Sequence, residues 1–465
     1  MDKKVPTSRL LRTAALGRIA TGQVLRHAGT KVATVGRGAE KKQAVMDKRQ
    51  AEAIRALVNG LGTMRGAAMK IGQALSVVDG GIIPEEVRPD FQKALAQLRD
   101  SAPTVGFDKM RALIESELGG PLRQHFAEFD ATPIASASIG QVYRATLHDG
   151  RDVCVKVQYP GIDKAVRADI KNLALLTHSL KLIAPALDTA ALAAEIRDRV
   201  EEELDYELEA QNQRAAARLY RDHPFIVVPN VVTDLSGQRV LVTEYFDGIG
   251  FETIKDADEE TRNRVAEIVF RFFGAGMLRH RQFSGDPHPG NFLVGSDGRV
   301  AFLDFGLYKH VAAEAVEHQL AIQRAMAEND PAAVHSALAA AGFIPDPGSV
   351  PVEEAAGIVG SVIGWLTTDA EVRITPEMVN DAMAQTIVPT GDDFGVVRKQ
   401  AVPQEQMVTL RTLVMVMAAL GQLRAVNNWG RIAREWQYGD APATELGRAE
   451  ADSDWGLRNA PVPVA

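Results

Sequence analysis

The chain has 465 residues, of which 46% are hydrophobic and 24% charged, and its formal net charge is −8 at pH 7. This is the composition of a globular protein with room for about three folding units, or for one large two-lobed unit with extensions, and it excludes a wholly disordered or collagen-like chain. The acidic balance argues against a general nucleic-acid binder. The single cysteine, Cys154, excludes an internal disulfide and a Cys-based zinc site, and it is in keeping with a reducing compartment.

The first 42 residues form a basic segment. They contain ten basic and two acidic residues, a net charge of +8, so the remainder of the chain carries −16. An Arg-rich, acid-poor segment is typical of a transit peptide or of a helix on an anionic membrane surface. A basic helix packed on an acidic face of the same protein fits the pattern equally well. The sequence leaves these alternatives open.

Helical periodicity follows the basic segment. Apolar residues recur at steps of three and four from residue 47 to residue 76, which predicts a helix with Leu61 and Met64 on one face. A second, short helix is predicted over residues 108–118, because two glycines and a proline come directly after it.

The pattern changes to short, turn-bounded strands after residue 128. Residues 141–147 and 152–157 are rich in β-formers and flank an Asp-Gly pair, which predicts a hairpin. A second small hairpin is predicted from Asn291 to Asp304, around Asp297-Gly298.

Two long helices are predicted between the hairpins, over about residues 162–186 and 190–219, and the second has an unbroken i, i+4 apolar stripe. Strands are predicted at 227–232 and 240–245, and from residue 248 onward the chain is mainly helical.

Two further predictions concern the C-terminal part of the sequence. The apolar run Leu413–Gly421 has nine residues, whereas a membrane span needs about 18–20, so a buried helix is predicted there. Residues 440–465 lack periodicity and are predicted to be disordered.

Two acidic loops carry the strongest chemical signal. Asp286 is followed five residues later by Asn291, which is the spacing of a kinase catalytic loop, where the aspartate faces the attacking hydroxyl and the asparagine binds a metal. Asp304 begins an Asp-Phe-Gly triplet at the end of an apolar strand, where a carboxylate suits a magnesium ion at phosphates. The two motifs, joined by a small hairpin, predict Asp286 as catalytic and Asn291 and Asp304 as metal ligands.

Nucleotide-binding residues are predicted upstream. Lys156 ends the strand sequence Val-Cys-Val-Lys, where a lysine can reach the α- and β-phosphates. The preceding loop has the spacing of a glycine-rich phosphate loop, but alanines replace its first two glycines. Because alanine restricts the backbone yet leaves N–H donors, we expect ATP binding with an altered pose or rate. The predicted loop residues are Ala135, Ser136, Ala137, Ser138, Ile139, Gly140 and Val142.

An acidic stretch and a strand end complete the predicted site. At least one glutamate of residues 201–209 is expected to hold Lys156, as a kinase requires. The strand that ends at Glu244, Tyr245 and Phe246 is where two lobes would hinge and adenine would meet backbone groups.

Together these motifs resemble the UbiB family of atypical kinases, also called the AarF family, over about residues 40–345. The resemblance implies a protein-kinase-like fold, binding of ATP with Mg²⁺, and a link to quinone lipid biosynthesis. It adds the motif Lys70-Ile-Gly-Gln73, which in this family lies over the site where a protein kinase takes its peptide. It implies that Lys70 and Gln73 lie at the active site, that Lys70 is near Glu203 and Asp205, and that Glu209 pairs with Lys156.

The resemblance and the pattern together predict an α+β, bilobal protein-kinase-like fold with a β-rich N-lobe and a helical C-lobe. The predicted parts are a basic segment (1–42), a helical cap with Lys-x-Gly-Gln (43–128), an N-lobe with a helical insert (129–246), a C-lobe (247–345), a helical C-terminal extension (346–439) and a disordered tail (440–465).

The predicted function is that of a Mg-dependent ATPase or phosphotransferase of the UbiB type, which acts on a small-molecule or lipid acceptor in quinone or lipid metabolism rather than on proteins. We expect no nucleic-acid partner and a cytoplasmic location, either free or peripheral to an anionic membrane. Two alternatives stay open: a small-molecule kinase of the aminoglycoside or choline kinase type, and a nucleotide-sensing scaffold.

Overall fold

The computed structural model describes residues 105–137, 139–168, 197, 201–387 and 404–459. The chain forms two compact units, and each is described by itself. The first contains the described residues up to Glu207 together with Val232–Thr243, and the second contains Leu208–Val231 and the residues from Glu244 onward. The predicted helix at 47–76 and most of the predicted helix at 162–186 lie outside the described residues.

The first unit is built on a five-stranded sheet. Its strands run in the order β1-β3-β4-β6, and β2 pairs with β3 beside that path. The bounds are β1 Phe126–Phe129, β2 Ala135–Ser136, β3 Gly140–Leu147, β4 Asp152–Gln158 and β6 Val240–Glu244. The helices that precede the sheet are α1 Phe107–Leu118, which confirms the helix predicted at 108–118, and the short α2 Leu122–His125.

The predicted hairpin of β3 and β4 is confirmed. The two strands pair antiparallel from Gly140↔Gln158 to Thr146↔Asp152. Gly150 has φ 87° in the turn between them, a left-handed conformation that glycine adopts without a steric penalty. The side chains of Val153, Val155 and Val157 are buried, as the alternation of a half-buried strand requires.

The predicted continuous helix at 190–219 is wrong at one point. A helical turn at residues 201–203 ends at Leu204, and a separate helix α3 runs over Tyr206–Leu219. Within the first unit, Gln158 Nε2 donates to the Leu204 carbonyl at 2.8 Å, and the Tyr206 N–H donates to the Gln238 carbonyl at 3.1 Å. These distant partners take backbone groups that a continuous helix would have paired internally, so the helix breaks.

The described part of the second unit has three small sheets, two of which adjoin the loops of Asp286 and Asp304. One has the strand order β5-β10-β9-β7, with β5 Ile226–Val227, β7 Ile249–Gly250, β9 Phe292–Val294 and β10 Val300–Phe302. The predicted second hairpin is confirmed by the antiparallel β9–β10 pair. In the other sheet, β8 Gln282–Ser284 pairs with β11 Tyr308–His310. The strand predicted at 227–232 is shorter, because only its first residue lies within β5.

Helices fill most of the second unit. The bounds are α4 Phe251–Lys255, α5 Glu259–Leu278, α6 Ala313–Ala327, α7 Pro331–Ala340, α8 Val352–Thr367, α9 Pro376–Ile387, α10 Gln404–Leu423, α11 Trp429–Gln437, α12 Glu445–Asp452 and α13 Asp454–Arg458; β12 Val372–Arg373 pairs with β13 Val426–Asn427. The run Leu413–Gly421 lies inside α10, and its Val416 and Leu420 are buried, as predicted. Within the described part of the chain, no helix is long and apolar enough to cross a membrane.

The predicted disorder of residues 440–465 is wrong for the described part of that segment. Helices α12 and α13 pack into the core, where Trp455 is 1% exposed. The Trp455 ring stacks on Tyr220 at 5.9 Å, and its Nε1 donates to the Leu219 carbonyl at 2.6 Å. The polar composition of the segment concealed this one large apolar anchor.

A buried charge cluster also holds this C-terminal segment. The guanidinium of Arg271 on α5, 1% exposed, pairs with Glu267 and Glu435 at 2.8 Å and with Glu450 on α12 at 3.6 Å. Three carboxylates around one cation leave an excess of buried negative charge. The loss of hydration on burial in this cluster raises the pKa of the Glu450 carboxyl.

The predicted domain boundaries also change. Residues 208–231 belong with the second unit rather than with the first, and the described residues of 346–439 share one hydrophobic core with the predicted C-lobe. Phe270 of α5, for example, contacts Trp365 and Trp429 of the predicted extension at 5.5 and 5.4 Å between ring centroids.

Candidate active site

In the first unit, three predicted nucleotide-binding residues lie side by side on one face of the sheet. Ala135 pairs with Val142, and Val142 pairs with Lys156, across β2, β3 and β4. Residues directly opposite each other in neighbouring strands present their side chains on the same face. Cys154 shares this face two residues before the lysine, and its burial raises the pKa of the thiol to about 11. It is therefore an uncharged thiol at neutral pH.

Lys156 has an aromatic neighbour that the sequence reasoning did not identify. Its Nζ lies 5.0 Å from the ring centroid of Tyr206, within the range of a cation–π contact. Tyr206 is 1% exposed and begins α3, directly after Asp205. Its position beside the acidic motif was the only signal in the sequence. The ring orients the lysine ammonium on the face that carries Ala135 and Val142.

The Ala-rich loop is a tight hairpin between β2 and β3. The Ala137 N–H donates to the Gly140 carbonyl at 2.8 Å, and the Ile139 carbonyl accepts from the Tyr159 N–H at 2.8 Å. The expectation that the alanine N–H groups stay open to phosphate is therefore wrong for Ala137, since that N–H closes the hairpin. Ser138 lies outside the described residues, while Ser136 is exposed.

Gly140 is required by close packing rather than by backbone freedom. A Cβ placed there would lie 2.2 Å from the Val157 carbonyl oxygen and 3.1 Å from the Tyr206 hydroxyl. No side chain fits at the first of these distances. The glycine therefore brings β3 and β4 together beside Tyr206.

The acidic pair Glu203 and Asp205 lies on either side of the helix break. Asp205 Oδ1 accepts from the Glu207 N–H at 3.1 Å, so the carboxylate caps the first turn of α3. Lys70 and Gln73, which the resemblance places near this pair, lie outside the described residues.

The predicted adenine-contacting segment begins at a strand end that is already hydrogen-bonded. The Glu244 N–H donates to the Asn230 carbonyl at 2.9 Å, and its carboxylate accepts from the Asn230 side chain at 2.9 Å. This backbone donor is not available to a ligand. The ring of Phe246 packs against Gly248 and Gly295. A Cβ added at either glycine would lie only 2.9 or 3.0 Å from that ring.

In the second unit, the loop from Gly285 to Asn291 is fixed by its own hydrogen bonds. Asn291 Nδ2 donates to the Asp286 carbonyl at 3.1 Å, and the Gly290 N–H donates to His288 Nδ1 at 3.0 Å. The main chain of Asn291 also accepts from the Leu303 N–H at 2.9 Å, which joins the loop to the strand before Asp304. The structure thus brings the two predicted acidic motifs together.

The Asp304-Phe-Gly triplet forms a turn that orients its carboxylate. Asp304 Oδ1 accepts from the Gly306 N–H at 2.9 Å, and the Asp304 carbonyl accepts from the Ser284 hydroxyl at 3.0 Å. A Cβ at Gly306 would lie 3.3 Å from Asp304 Oδ1 and 3.9 Å from Glu209 Oε2. Glu209, 3% exposed, therefore presents its carboxylate at the same turn as Asp304.

Two further residues support this turn and its loop, and sequence reasoning missed both. Asn212 Nδ2 donates to the Phe305 carbonyl at 3.0 Å, three residues after Glu209 on the same face of α3. Arg411 of α10 donates to the Gly285 carbonyl at 3.3 Å. The sequence held a signal for Asn212 in its helical spacing from Glu209. It held none for Arg411, which lies more than a hundred residues after Gly285 in the chain.

The side chains of Asn291 and Asp304 suit a hard cation. Because the Asn291 amide nitrogen is used as a donor to Asp286, the amide oxygen is left as its acceptor, and Asp304 offers a carboxylate held by Gly306. Amide and carboxylate oxygens are the ligand types that Mg²⁺ takes beside phosphates. Within the described ranges, no cluster of three or more His, Cys, Asp or Glu residues forms a metal cage. The donor set therefore fits a metal that is completed by phosphate and water.

Comparison with known proteins identifies the family of the chain. Residues 97–338 match the ABC1 atypical kinase-like domain. The chain is 33% identical over 333 residues to "Atypical kinase COQ8B, mitochondrial" of Rattus norvegicus, which covers 71% of this chain and 62% of that protein. It is 30% identical over 287 residues to "AarF domain-containing protein kinase 1" of Xenopus tropicalis, which covers 60% and 54%. The chain spans little more than half the length of these two relatives.

A solved structure is also similar. The complex of Rv3197 with erythromycin from Mycobacterium tuberculosis has 32% identity and a TM-score of 0.61, and the match covers 85% of this chain and 98% of that one. The predicted α+β, kinase-like fold is confirmed by these matches. The chain therefore belongs to the UbiB/AarF family of atypical kinases, whose common part is the ABC1 domain.

Proposed function

We propose that this protein is a Mg-dependent ATPase or phosphotransferase that acts on a small-molecule or lipid acceptor. The observation that carries the proposal is the hydrogen-bonded arrangement of the Asp286 and Asp304 loops, which holds an amide oxygen of Asn291 and a carboxylate of Asp304 as hard ligands, with the carboxylate of Asp286 as the proton acceptor. Bound ATP would supply the phosphoryl group, and Mg²⁺ would offset its charge.

Each residue has a defined part in the proposed reaction. Asp286 orients the attacking hydroxyl or water and accepts its proton. Asn291 Oδ1 and the Asp304 carboxylate would hold Mg²⁺. Lys156 binds the α- and β-phosphates, and Glu209 keeps the role of holding that lysine which the resemblance gives it.

The acceptor is proposed from the family resemblance. Members of the family are linked to quinone lipid metabolism, so we propose an isoprenoid or lipid pathway rather than protein substrates. The basic segment of residues 1–42 would favour peripheral contact with an anionic membrane.

The metal assignment can be tested by an Asp304→Asn variant with Asp297→Asn as its control. Both aspartates accept a backbone N–H two residues ahead, and asparagine retains the accepting oxygen in each case. We expect Asp304→Asn to lose the Mg-dependent rise in melting temperature that ATP gives to the wild type, whereas Asp297→Asn should keep it. Full protection in Asp304→Asn would contradict the assignment.

Turnover distinguishes an enzyme from a nucleotide-sensing scaffold. Asp286→Asn should retain ATP binding and lose phosphate release by about a hundredfold or more, because the proton acceptor is removed while the Mg²⁺ ligands stay. Equal rates in Asp286→Asn and wild type would favour the scaffold.

A further inference from the structure

An apolar cavity lies within the second unit, apart from all the residues to which we assign nucleotide or metal binding. Its volume is about 170 Å³, and helices α5, α6, α8, α10 and α11 supply most of its walls. Ile358, Val359 and Leu410 in its lining are half-buried, so the cavity reaches the surface of the unit. None of the twenty lining residues belongs to the loops of Asp286 or Asp304.

The chemistry of the lining selects for a neutral ligand. No Asp, Glu, Lys, Arg or His occurs among the described residues that line the cavity, and only Gln319, Gln323, Gln406 and Thr409 have polar side chains. A charged ligand would lose its hydration here without gaining a counter-charge, which is strongly unfavourable. Nucleotides, phosphates and carboxylates are therefore excluded as occupants.

Two pairs of glutamines leave hydrogen-bonding capacity at the wall. Both amide atoms of Gln406 have a partner, since Oε1 accepts from Gln319 Nε2 at 2.9 Å and Nε2 donates to the Ala315 carbonyl at 3.1 Å. Gln323 accepts from Gln437 Nε2 at 2.9 Å, which leaves the Gln323 amide as a donor. Gln323 is 8% exposed and lines the cavity. Buried amides with unused groups indicate a ligand that has one polar end.

The size of the cavity limits the ligand further. A cavity of about 150 Å³ with walls of Leu, Ile and Phe stays dry and binds benzene. A cavity of similar volume therefore accommodates one ring or a short branched hydrocarbon, and not a large multi-ring compound.

We propose that this cavity is a binding site for a neutral, hydrocarbon-rich small molecule or chain end that carries one hydroxyl or carbonyl group. The hydrocarbon part contacts Met277, Val362 and Leu413, and the polar group hydrogen-bonds with the amide of Gln323. The site is independent of the nucleotide chemistry proposed above.

Three matched probes test the proposal: toluene, benzyl alcohol and benzoate. They share one hydrocarbon skeleton and differ only in the end group. We expect calorimetry with the full chain to give the tightest binding for the alcohol, weaker binding for the hydrocarbon, and none for the carboxylate. Equal binding of the carboxylate and the alcohol would overturn the proposal, and so would the absence of binding by all three.

Two variants locate the binding. Val359→Phe on α8 fills part of the cavity and should weaken binding of the alcohol by about tenfold or more. Its control is Val352→Phe, which makes the same change at an exposed position of the same helix outside the cavity and should bind like the wild type. Unchanged affinity in a folded Val359→Phe would place the ligand elsewhere and refute the site.

A second variant covers the case in which Val359→Phe does not fold. Gln323→Leu removes the amide donor and keeps the wall apolar, so it should bind the alcohol and the hydrocarbon equally. If Gln323→Leu retains the wild-type preference for the alcohol, the proposed hydrogen bond is wrong.

Discussion

The side-chain amide of Asn291 donates to the main-chain carbonyl of Asp286, with 3.1 Å between Nδ2 and the oxygen. One side chain thus fixes the conformation of the loop, and its remaining oxygen is the metal ligand that we propose. Under this proposal the dual use accounts for an amide at this position, although a carboxylate is the stronger ligand for Mg²⁺.

Asn291→Asp separates the two roles. Aspartate keeps an oxygen ligand but cannot donate, and its charge would face the Asp286 carbonyl. We expect turnover to fall by about a hundredfold through misplacement of Asp286, while ATP still protects the protein against heat. Asn329→Asp, at an exposed site after α6, is the matched control and should behave like the wild type. Wild-type turnover in Asn291→Asp would show that the hydrogen bond has no role.

The contact of Lys156 with Tyr206 predicts different effects for two substitutions. Tyr206→Phe keeps the ring 5.0 Å from the ammonium and should leave ATP affinity near that of the wild type. Tyr206→Leu removes the ring and a contact of about 0.5–1 kcal/mol, so ATP affinity should fall several-fold. Titration calorimetry on both variants, with thermal unfolding to confirm their fold, measures the difference. The idea fails if the leucine variant binds ATP as tightly as the phenylalanine variant.

Two substitutions in the Ala-rich hairpin should have different consequences, one for stability and one for nucleotide preference. Gly140→Ala places a Cβ 2.2 Å from the Val157 carbonyl oxygen, and we expect a loss of about 1–3 kcal/mol in the free energy of unfolding. Ala137→Gly should change the free energy of unfolding by about 1 kcal/mol or less and alter the relative affinities for ATP and ADP. Denaturant melts and nucleotide titrations of both variants check this. A fully stable Gly140→Ala would disprove the close packing of β3 on β4.

Much of this fold was predictable because its signals are local. The two hairpins follow from Asp149-Gly150 and Asp297-Gly298, whose glycines have φ 87° and 78°. The helix break at Leu204 was not predictable, because it depends on hydrogen bonds from Gln158 and to Gln238, which are distant in sequence. The apolar stripe continues through the break, so periodicity alone predicted one helix.

In the candidate site, too, the local features were predictable from the sequence and the distant contacts were not. The motifs around Asp286 and Asp304 have fixed spacings and were identified in the sequence, whereas Arg411 reaches Gly285 only through the packing of α10. Composition gave a wrong prediction for the C-terminal segment, because one buried residue, Trp455, outweighs its many polar neighbours.

The charge cluster around Arg271 predicts a pH dependence of stability. Burial raises the pKa of Glu450 above its ordinary value of 4.5, so the folded protein holds a proton that the unfolded chain releases. This contribution is present below pH 4.5 and is lost as the pH rises through the higher pKa of the folded state. Glu450→Gln should therefore reduce the stability that the protein loses as the pH rises from 4.5 through the pKa of Glu450 in the folded state.

The free energy of unfolding can be measured by urea melts from pH 4.5 upward for the wild type, Glu450→Gln and Glu445→Gln. Glu445 is an exposed glutamate of the same helix and serves as the control. The control should retain the slope of the wild type. Identical slopes in all three proteins would contradict the assignment to Glu450.

Arg411 is expected to act as a positioning residue through the Gly285 carbonyl. Arg411→Met keeps the aliphatic packing and removes the donor, so kcat should fall while the Kd for ATP stays unchanged. Arg411→Lys, which retains a donor, should recover part of the rate. Steady-state kinetics and calorimetry decide, and a rise in Kd with constant kcat would argue for a different role.

The anchoring of Trp455 has a consequence for how the molecule folds. The indole N–H of Trp455 donates a hydrogen bond to the carbonyl of Leu219, 236 positions earlier. A very large loop must therefore close before this part of the core is complete. Closure of long loops is entropically unfavourable until late contacts compensate for it, and folds dominated by distant contacts form slowly. An intermediate that lacks α13 would leave the rings of Tyr220 and His223 uncovered, next to the helix that carries Glu209. During refolding, catalytic competence should therefore appear later than helical content, and transient aggregation should occur between the two.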